Sequence, residues 1–492
     1  MVSEFVKEQK RYTREELKKI FSSSELVCTD TDITRIIKRL KSYGILKTVK
    51  SSDEQLNMTD LAEEDIEVFD EDDSQRKQLY VFPFVGLIIV EGCILKCYPK
   101  YIFSNNKPTE ELRQIIKVLR KYNSKNQIIN MYNEGGKETT FNRFAILVFL
   151  LNDYFENGIY TNTEDIIETN GMGEIHWDRT INDKYPIIKD DHPYYVELQT
   201  KRRINDEEDF IKRIHECVLT SSSKELKDAE LLELLDLEGI FLTDESLSDF
   251  GDDDYIISRL EKEMNVHFNT RKQIVLKTLI AIIKNKSTID DVDSFSMYGS
   301  NSFNLVWEEV CADVFDNKLK TKLGQLNMAT PLAKEYKSQK GETLFSIIER
   351  PKWKPMDSEQ EIDANDTLTP DLISIPQREG VDSFIIFDAK YYNLQLDITK
   401  PLRGNPGVGD VTKQYLYQLA YKKFIEAHNI AAVKNCFLMP TEGVEIVKKG
   451  VARMPMLEAL GLENIQIRQM PAKMMYAYYL GRKKMDVDLL EL

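Results

Sequence analysis

The chain has 492 residues, 42% of them hydrophobic and 30% charged, which suffices for about two to four soluble domains with cores of their own. No run of 18 apolar residues occurs and the opening Met1-Val2-Ser3-Glu4-Phe5 lacks a signal-peptide core, so a cytoplasmic protein without membrane contact is expected. The formal net charge of −16 opposes unaided binding to nucleic acid, and six scattered cysteines with no Cys-x-x-Cys pair argue against a zinc or iron-sulfur site.

Residues 1 to about 50 read as a helix-turn-helix. Thr13-x-x-Glu16 is a capping signature, and Ile33, Ile36, Ile37 and Leu40 keep helical spacing over 32–43. Gly44 stops that helix, and Ile45 to Val49 resembles the first strand of a wing. Arg35, Lys38 and Arg39 are then available for DNA phosphates, although such modules serve equally as protein-docking units. Residues 51–77 are acidic and poor in aromatics, a solvated linker that closes a winged-helix-like module over 1–77.

Residues 78–290 form a middle region, first β and then α-helical. Tyr80 to Val90, a Glu91-Gly92 turn and Cys93 to Cys97 give strands, and 110–122 and 141–160 give helices. In 170–181, glycines at 171 and 173 precede residues of alternating polarity. This predicts a hairpin or projecting loop, with Arg179 either paired to a nearby acid or reaching a partner. Helices follow at 204–219, 225–235 and 259–284 around an acidic loop at 244–254.

Residues 291–492 carry the chemistry. A helix from Phe303 to Phe315 presents Phe303, Val306, Val310 and Val314 to a sheet, and its Glu308, or second Glu309, is either an ordinary exposed glutamate or one that reaches a metal. A first strand is expected at Leu344 to Arg350 and a polar insertion at 357–366. Thr369 to Ile375 and Ser383 to Tyr391 then pair as a hairpin across the turn formers of 376–382, which lets Asp371 and Asp388 meet at one end. Hard carboxylate oxygens there hold Mg2+, or Mn2+ in its place, while the Ala389 carbonyl is a further ligand. Asp388 and Lys390 share a face by the period of two, so the lysine can orient a metal-bound water or neutralise a pentavalent phosphate.

After a Gly/Pro loop, Asp410 can cap a helix whose first turns carry Lys413 and Gln414 toward substrate phosphate, and Cys436 to Pro440 supplies the next strand. Tyr417 and Tyr421 read as packing residues. From residue 390 onward Lys and Arg number 15 against 10 acids, a local basic balance suited to DNA. Helix, strands, helix, strand is the layout of the PD-(D/E)xK nuclease core, which makes the chain an α+β multidomain protein.

Gly171-x-Gly173-Glu174-Ile175-x-Trp177-x-Arg179-Thr180-Ile181, Phe303-x-x-x-Trp307-Glu308, Pro370-Asp371, Asp388-Ala389-Lys390 and Gly409-Asp410-x-x-Lys413-Gln414-Tyr415 together resemble the LlaJI-type restriction endonucleases, which look like McrC, the nuclease subunit of McrBC. The resemblance implies a bacterial phage-defence component, encoded near a DNA methyltransferase, that cleaves double-stranded DNA with Mg2+. It also implies a McrB-like AAA+ GTPase partner, contacted by the middle region and Arg179. In keeping with a divided labour, no Gly-x-x-x-x-Gly-Lys-Ser/Thr occurs, and Asn133 to Thr139 has the wrong spacing for a phosphate loop. Two other readings stand beside this one: a stand-alone RecB-like repair exonuclease, for which the Gln414 helix is equally suited, and a non-catalytic winged-helix adaptor.

Overall fold

Phe384, Ile385, Ile386 and Phe387 are all buried in the strand Val381–Ala389, because this strand has cover on both faces. On one face Phe384 lies 5.1 Å from Tyr421, and on the other Phe387 stacks on Phe315 at 5.1 Å. In the computed structural model the described residues are 2–22, 28–49, 79–125, 142–161, 163–171, 173–205, 210–266, 269–285, 295–430 and 432–492. The acidic linker at 51–77 and the stretch Asn133 to Thr139 lie outside them. The chain divides into two compact units, Met1–Ile128 with Asn133–Thr139 and Met297–Leu492, and Ile129–Tyr132 with Thr140–Ser296.

In the first unit a mixed sheet runs in the order Leu372–Ser374, Val381–Ala389, Ala432–Thr441, Ile465–Pro471, Val447–Ala452. The first two strands form the expected antiparallel hairpin, continued by Gln377–Arg378 to a two-residue turn at Glu379 and Gly380. Both turn residues have positive φ, 46° and 80°, the type I′ geometry whose twist matches that of the strands. The chain then crosses through helices Val408–Ala420 and Lys422–Ala427 to reach the parallel neighbour Ala432–Thr441. The leading helix, Phe303–Val314, buries Phe303, Val306, Val310 and Val314 as its spacing predicts, and the Trp307 indole N–H donates to the Leu438 carbonyl at 3.0 Å.

The strand expected at Leu344 to Arg350 is absent: the segment is a series of turns. Its apolar residues Leu344 and Ile348 do enter the core, but Thr343 and Ser346 exchange backbone-to-hydroxyl hydrogen bonds at 2.7 and 3.1 Å, which competes with any ladder.

Also in the first unit, the Thr13 capping box is present on Arg14–Ile20, and the second helix, Asp30–Ser42, buries Ile33, Ile36, Ile37 and Leu40. The boundary expected at residue 77 is bridged by strands. Lys47–Val49 and Tyr12–Thr13 flank Leu79–Val81, while Val2–Lys7 pairs in parallel with Cys93–Tyr98, itself antiparallel to Val85–Val90. Gly86, at φ 140°, and Gly299 face each other so closely that a Cβ on either would meet a backbone oxygen at 2.2 Å.

The second unit sets Thr163–Thr169 and Glu174–Ile175 against Gln199–Asn205, strands that the residue pattern at 163–169 and 199–205 does not announce. The alternating pattern at 174–181 stops being a strand at Ile175. A helix, Trp177–Asp183, takes over because the His176 ring nitrogen accepts the Arg179 N–H and caps its first turn. The helices expected at 204–219 and 225–235 are a single helix, Phe210–Asp228, and a short one, Leu232–Leu235. The one expected at 259–284 is two, Asp253–Val266 and Thr270–Lys284. Among the described residues no helix is long and apolar enough to cross a membrane.

Phe384 is fully buried between the sheet and the helices that follow it. Its replacement by Ala is expected to cost about 3–5 kcal/mol of stability, read as an earlier midpoint in urea unfolding at unchanged slope.

Candidate active site

The hairpin register brings the acids together. Leu372 pairs with Phe387, and one residue further Asp371 stands opposite Asp388. Asp371 Oδ2 accepts the Ala389 N–H at 2.8 Å, and Asn317 pins this edge by donating to the Asp371 carbonyl at 3.1 Å and accepting from the Ile373 N–H at 3.0 Å. Asp388 is 3% exposed. Its Oδ2 lies 3.0 Å from the Lys390 ammonium, while its Oδ1 is enclosed with no hydrogen-bond donor.

Lys390 is held from two sides. Its Nζ donates to Asp410 Oδ1 at 2.9 Å in addition to Asp388, and its own N–H donates to the Leu438 carbonyl at 3.0 Å. Asp410 belongs to the first turn of Val408–Ala420, and its other oxygen takes the Gly407 N–H at 3.2 Å, so a single carboxylate both caps the helix and grips the lysine. Burial alone would lower the lysine's pKa, but Asp388 and Asp410 together push it above its ordinary value.

The carboxyls move the other way. Burial and then the charge of Asp371 raise Asp388 well above the usual carboxylate range. Burial likewise raises Asp371, and burial followed by Asp388 raises Glu308. Buried acids this close cannot all ionise without a cation between them. An enclosed Asp388 Oδ1 that lacks a donor, beside Asp371 and Glu308, is an oxygen set of the hard kind that suits Mg2+. Among the described residues no three acidic, His or Cys side chains already converge to enclose an ion; the ammonium of Lys390 stands against Asp388.

Of the other residues singled out by sequence, Glu308 is half-buried on the side of Asp388, whereas Glu309 is among the charges that, after burial, keep the Tyr122 and Tyr479 phenols protonated. Gln414 is fully buried and donates to the Ile386 carbonyl at 2.8 Å, next to the acids but bound to strand backbone. Lys413 beside it is exposed. Tyr417 and Tyr421 donate to the Thr369 and Leu344 carbonyls, each at 3.0 Å, as packing residues. Arg35 is gripped by both oxygens of Glu91, at 3.0 and 2.7 Å; Lys38 is exposed and Arg39 half-buried. In the other unit Arg179 is exposed, with Asp183 at 3.9 Å one helical turn on.

Sequence reasoning missed the hold of Asp410 on Lys390 and the clamp by Asn317. Gly409-Asp410 is visible as a motif and as a helix cap, but Asp410 stands 20 positions beyond the lysine, past a loop. Nothing local marks Asn317.

Two acids and a lysine thus meet at one end of a mixed sheet in a chain of α+β class. The chain belongs to the LlaJI restriction endonuclease family, whose model matches residues 84–345 and 337–453. A relative from Bacillus subtilis (strain 168), the Type II restriction enzyme BsuMI component YdjA, is 26% identical over 422 residues, spanning 83% of this chain and 82% of the relative. Among solved structures, a chain of the Thermococcus gammatolerans assembly of McrB AAA+ hexamers with bound McrC aligns at 13% identity and a TM-score of 0.35, covering 98% of this chain and 99% of that one. A chain of the McrBC complex from the same organism aligns at 12% and 0.23, covering 62% and 84%.

The raised pKa of Asp388 fixes a sign. A buried carboxyl that holds its proton more tightly folded than unfolded loses stability for the fold as pH rises through its folded pKa. Metal-free protein is therefore expected to melt at lower temperature as pH is raised from about 5 to 8, with the unfolded carboxyl pKa of about 4 as the lower edge. Asp388→Asn should show a smaller drop in parallel thermal scans.

Proposed function

We propose that this chain is the Mg2+-dependent DNA-cutting subunit of a restriction system that works with a McrB-like AAA+ GTPase. The observation that carries the reading is the opposed pair Asp371 and Asp388, with an enclosed oxygen lacking a donor and a lysine held beside it. Asp371, Asp388, Glu308 and the Ala389 carbonyl would hold the ion, Mn2+ serving in place of Mg2+. The hairpin register, carried two residues past Leu372 and Phe387, sets Pro370 opposite Ala389, and a proline has no N–H to give that carbonyl.

A bound ion supplies Lewis-acid polarisation of the phosphodiester and a more acidic water. The protein's own part is to keep Lys390 charged and aimed, through Asp410, at the position where the phosphate gains negative charge. Gln414 fixes the strand from behind, and Lys413, exposed on the first turns of the same helix, meets the DNA backbone.

The net charge of −16 opposes unaided DNA binding and is offset by a local basic surface, a bound metal or a partner that delivers the DNA, and the sequence shows no Gly-x-x-x-x-Gly-Lys-Ser/Thr loop. The second unit offers a surface for that partner. Trp177, Ile181, Tyr185, Ile187 and Ile188 are large apolar side chains exposed by 53, 56, 98, 60 and 63%, around Arg179. In the winged-helix-like part, the commitment of Arg35 to Glu91 favours protein docking over phosphate contact, with Lys38 left for the solvent. A methyltransferase encoded nearby would protect the host's DNA.

Closed circular DNA incubated with Mg2+ and the partner GTPase should be nicked or linearised, an outcome closed to a stand-alone exonuclease that needs free ends. Asp388→Ala and Lys390→Ala should each slow cutting by on the order of 10²–10³-fold. Undiminished cutting by Lys390→Ala would leave the adaptor reading in its place. Trp177→Ser combined with Ile188→Ser should abolish co-purification of the GTPase without a change in melting temperature, since both side chains already face water.

A further inference from the structure

Tyr391 directly follows the active-site lysine, and its hydroxyl donates at 2.6 Å to Glu8 Oε2, a residue 383 positions earlier in the chain. Glu8 is 6% exposed and lies just past the end of the strand Val2–Lys7. The same carboxylate oxygen accepts the Lys100 N–H at 3.0 Å, and the Glu8 N–H donates to the Tyr98 carbonyl at 2.9 Å, so the acceptor is itself locked. An O–H···O− bond of this length in a buried setting is the charge-assisted kind. The Tyr391 ring is enclosed by Phe303 at 5.6 Å, Tyr101 at 6.1 Å and the Lys100 ammonium at 4.8 Å. Phe303 begins the helix that carries Glu308.

The active strand ends at Ala389, and the bond from the Lys390 N–H to Leu438 is its last tie to the sheet. Beyond it, the backbone that aims the lysine is steadied by the next side chain. With a period of two, Lys390 faces Asp388 and Asp410 while Tyr391 points the other way, so fixing the tyrosine fixes the direction of the lysine. We infer that Glu8 is a positioning residue for the nuclease site, acting through Tyr391 on the Lys390 end of the strand, so that the N-terminal strand is a working part of the nuclease. The inference rests on the nuclease reading above.

The test uses the full chain with its GTPase partner on closed circular DNA, measuring kcat and KM for wild type, Glu8→Gln, Glu8→Leu, Tyr391→Phe and Lys390→Ala, with a thermal melt of each. Tyr391→Phe and Glu8→Leu are expected to lower kcat by about 10-fold or more with KM unchanged, because small misplacements of a reacting group cost rate and not binding. Glu8→Gln, which keeps an acceptor for both donors, should restore most of that rate. Wild-type kcat in folded Tyr391→Phe, or a loss in Glu8→Gln equal to that in Glu8→Leu and matched by the melts, would overturn the positioning role. If Lys390→Ala cuts as well as wild type, the nuclease reading itself falls and the inference with it, a result separate from the other two.

Discussion

Two carboxyl groups held face to face inside a protein cannot both ionise without a cation, and Asp371 and Asp388, joined by a side-chain hydrogen bond, are held in that position. The tight turn at Glu379 and Gly380 sets the register, and the Ala389 N–H locks Asp371 in place. The cost appears as raised carboxyl pKa values and as an oxygen of Asp388 without a donor. Gln414 Oε1, on the helix that follows the strand, is likewise buried without a hydrogen-bond partner.

The surroundings of that pair are rigid. Asn317 ties the edge strand, Trp307 ties the leading helix to the parallel neighbour of the active strand, and Gln414 ties the following helix to the active strand itself. Asp410 and Asp388 hold the lysine between helix and strand, which fixes its ammonium in place. The N-terminal strand enters the same scaffold through Glu8.

The second unit has a different character. Its short strands and the helix at Trp177 leave large apolar side chains in water, which a monomer rarely tolerates as a group.

Much of the fold was legible in the residues. The double-sided apolar run, the turn formers and the Asp-x-Lys ending define the hairpin and the end at which its acids meet, because strand periodicity and turn chemistry are local. The same locality misled at Leu344 to Arg350, where buried leucine and isoleucine sit in turns stabilised by neighbouring hydroxyls, and at 174–181, where a histidine cap starts a helix in an alternating pattern. Only the tertiary structure decided that Glu308 feels the charge of Asp388, that Arg35 is spent on Glu91, that Asp410 bonds to Lys390, that Asn317 bonds to the Asp371 strand and that Glu8 bonds to Tyr391. Those contacts join residues 20 to 383 positions apart, and a pairing across such distances is fixed by packing and leaves no trace in the spacing of the chain.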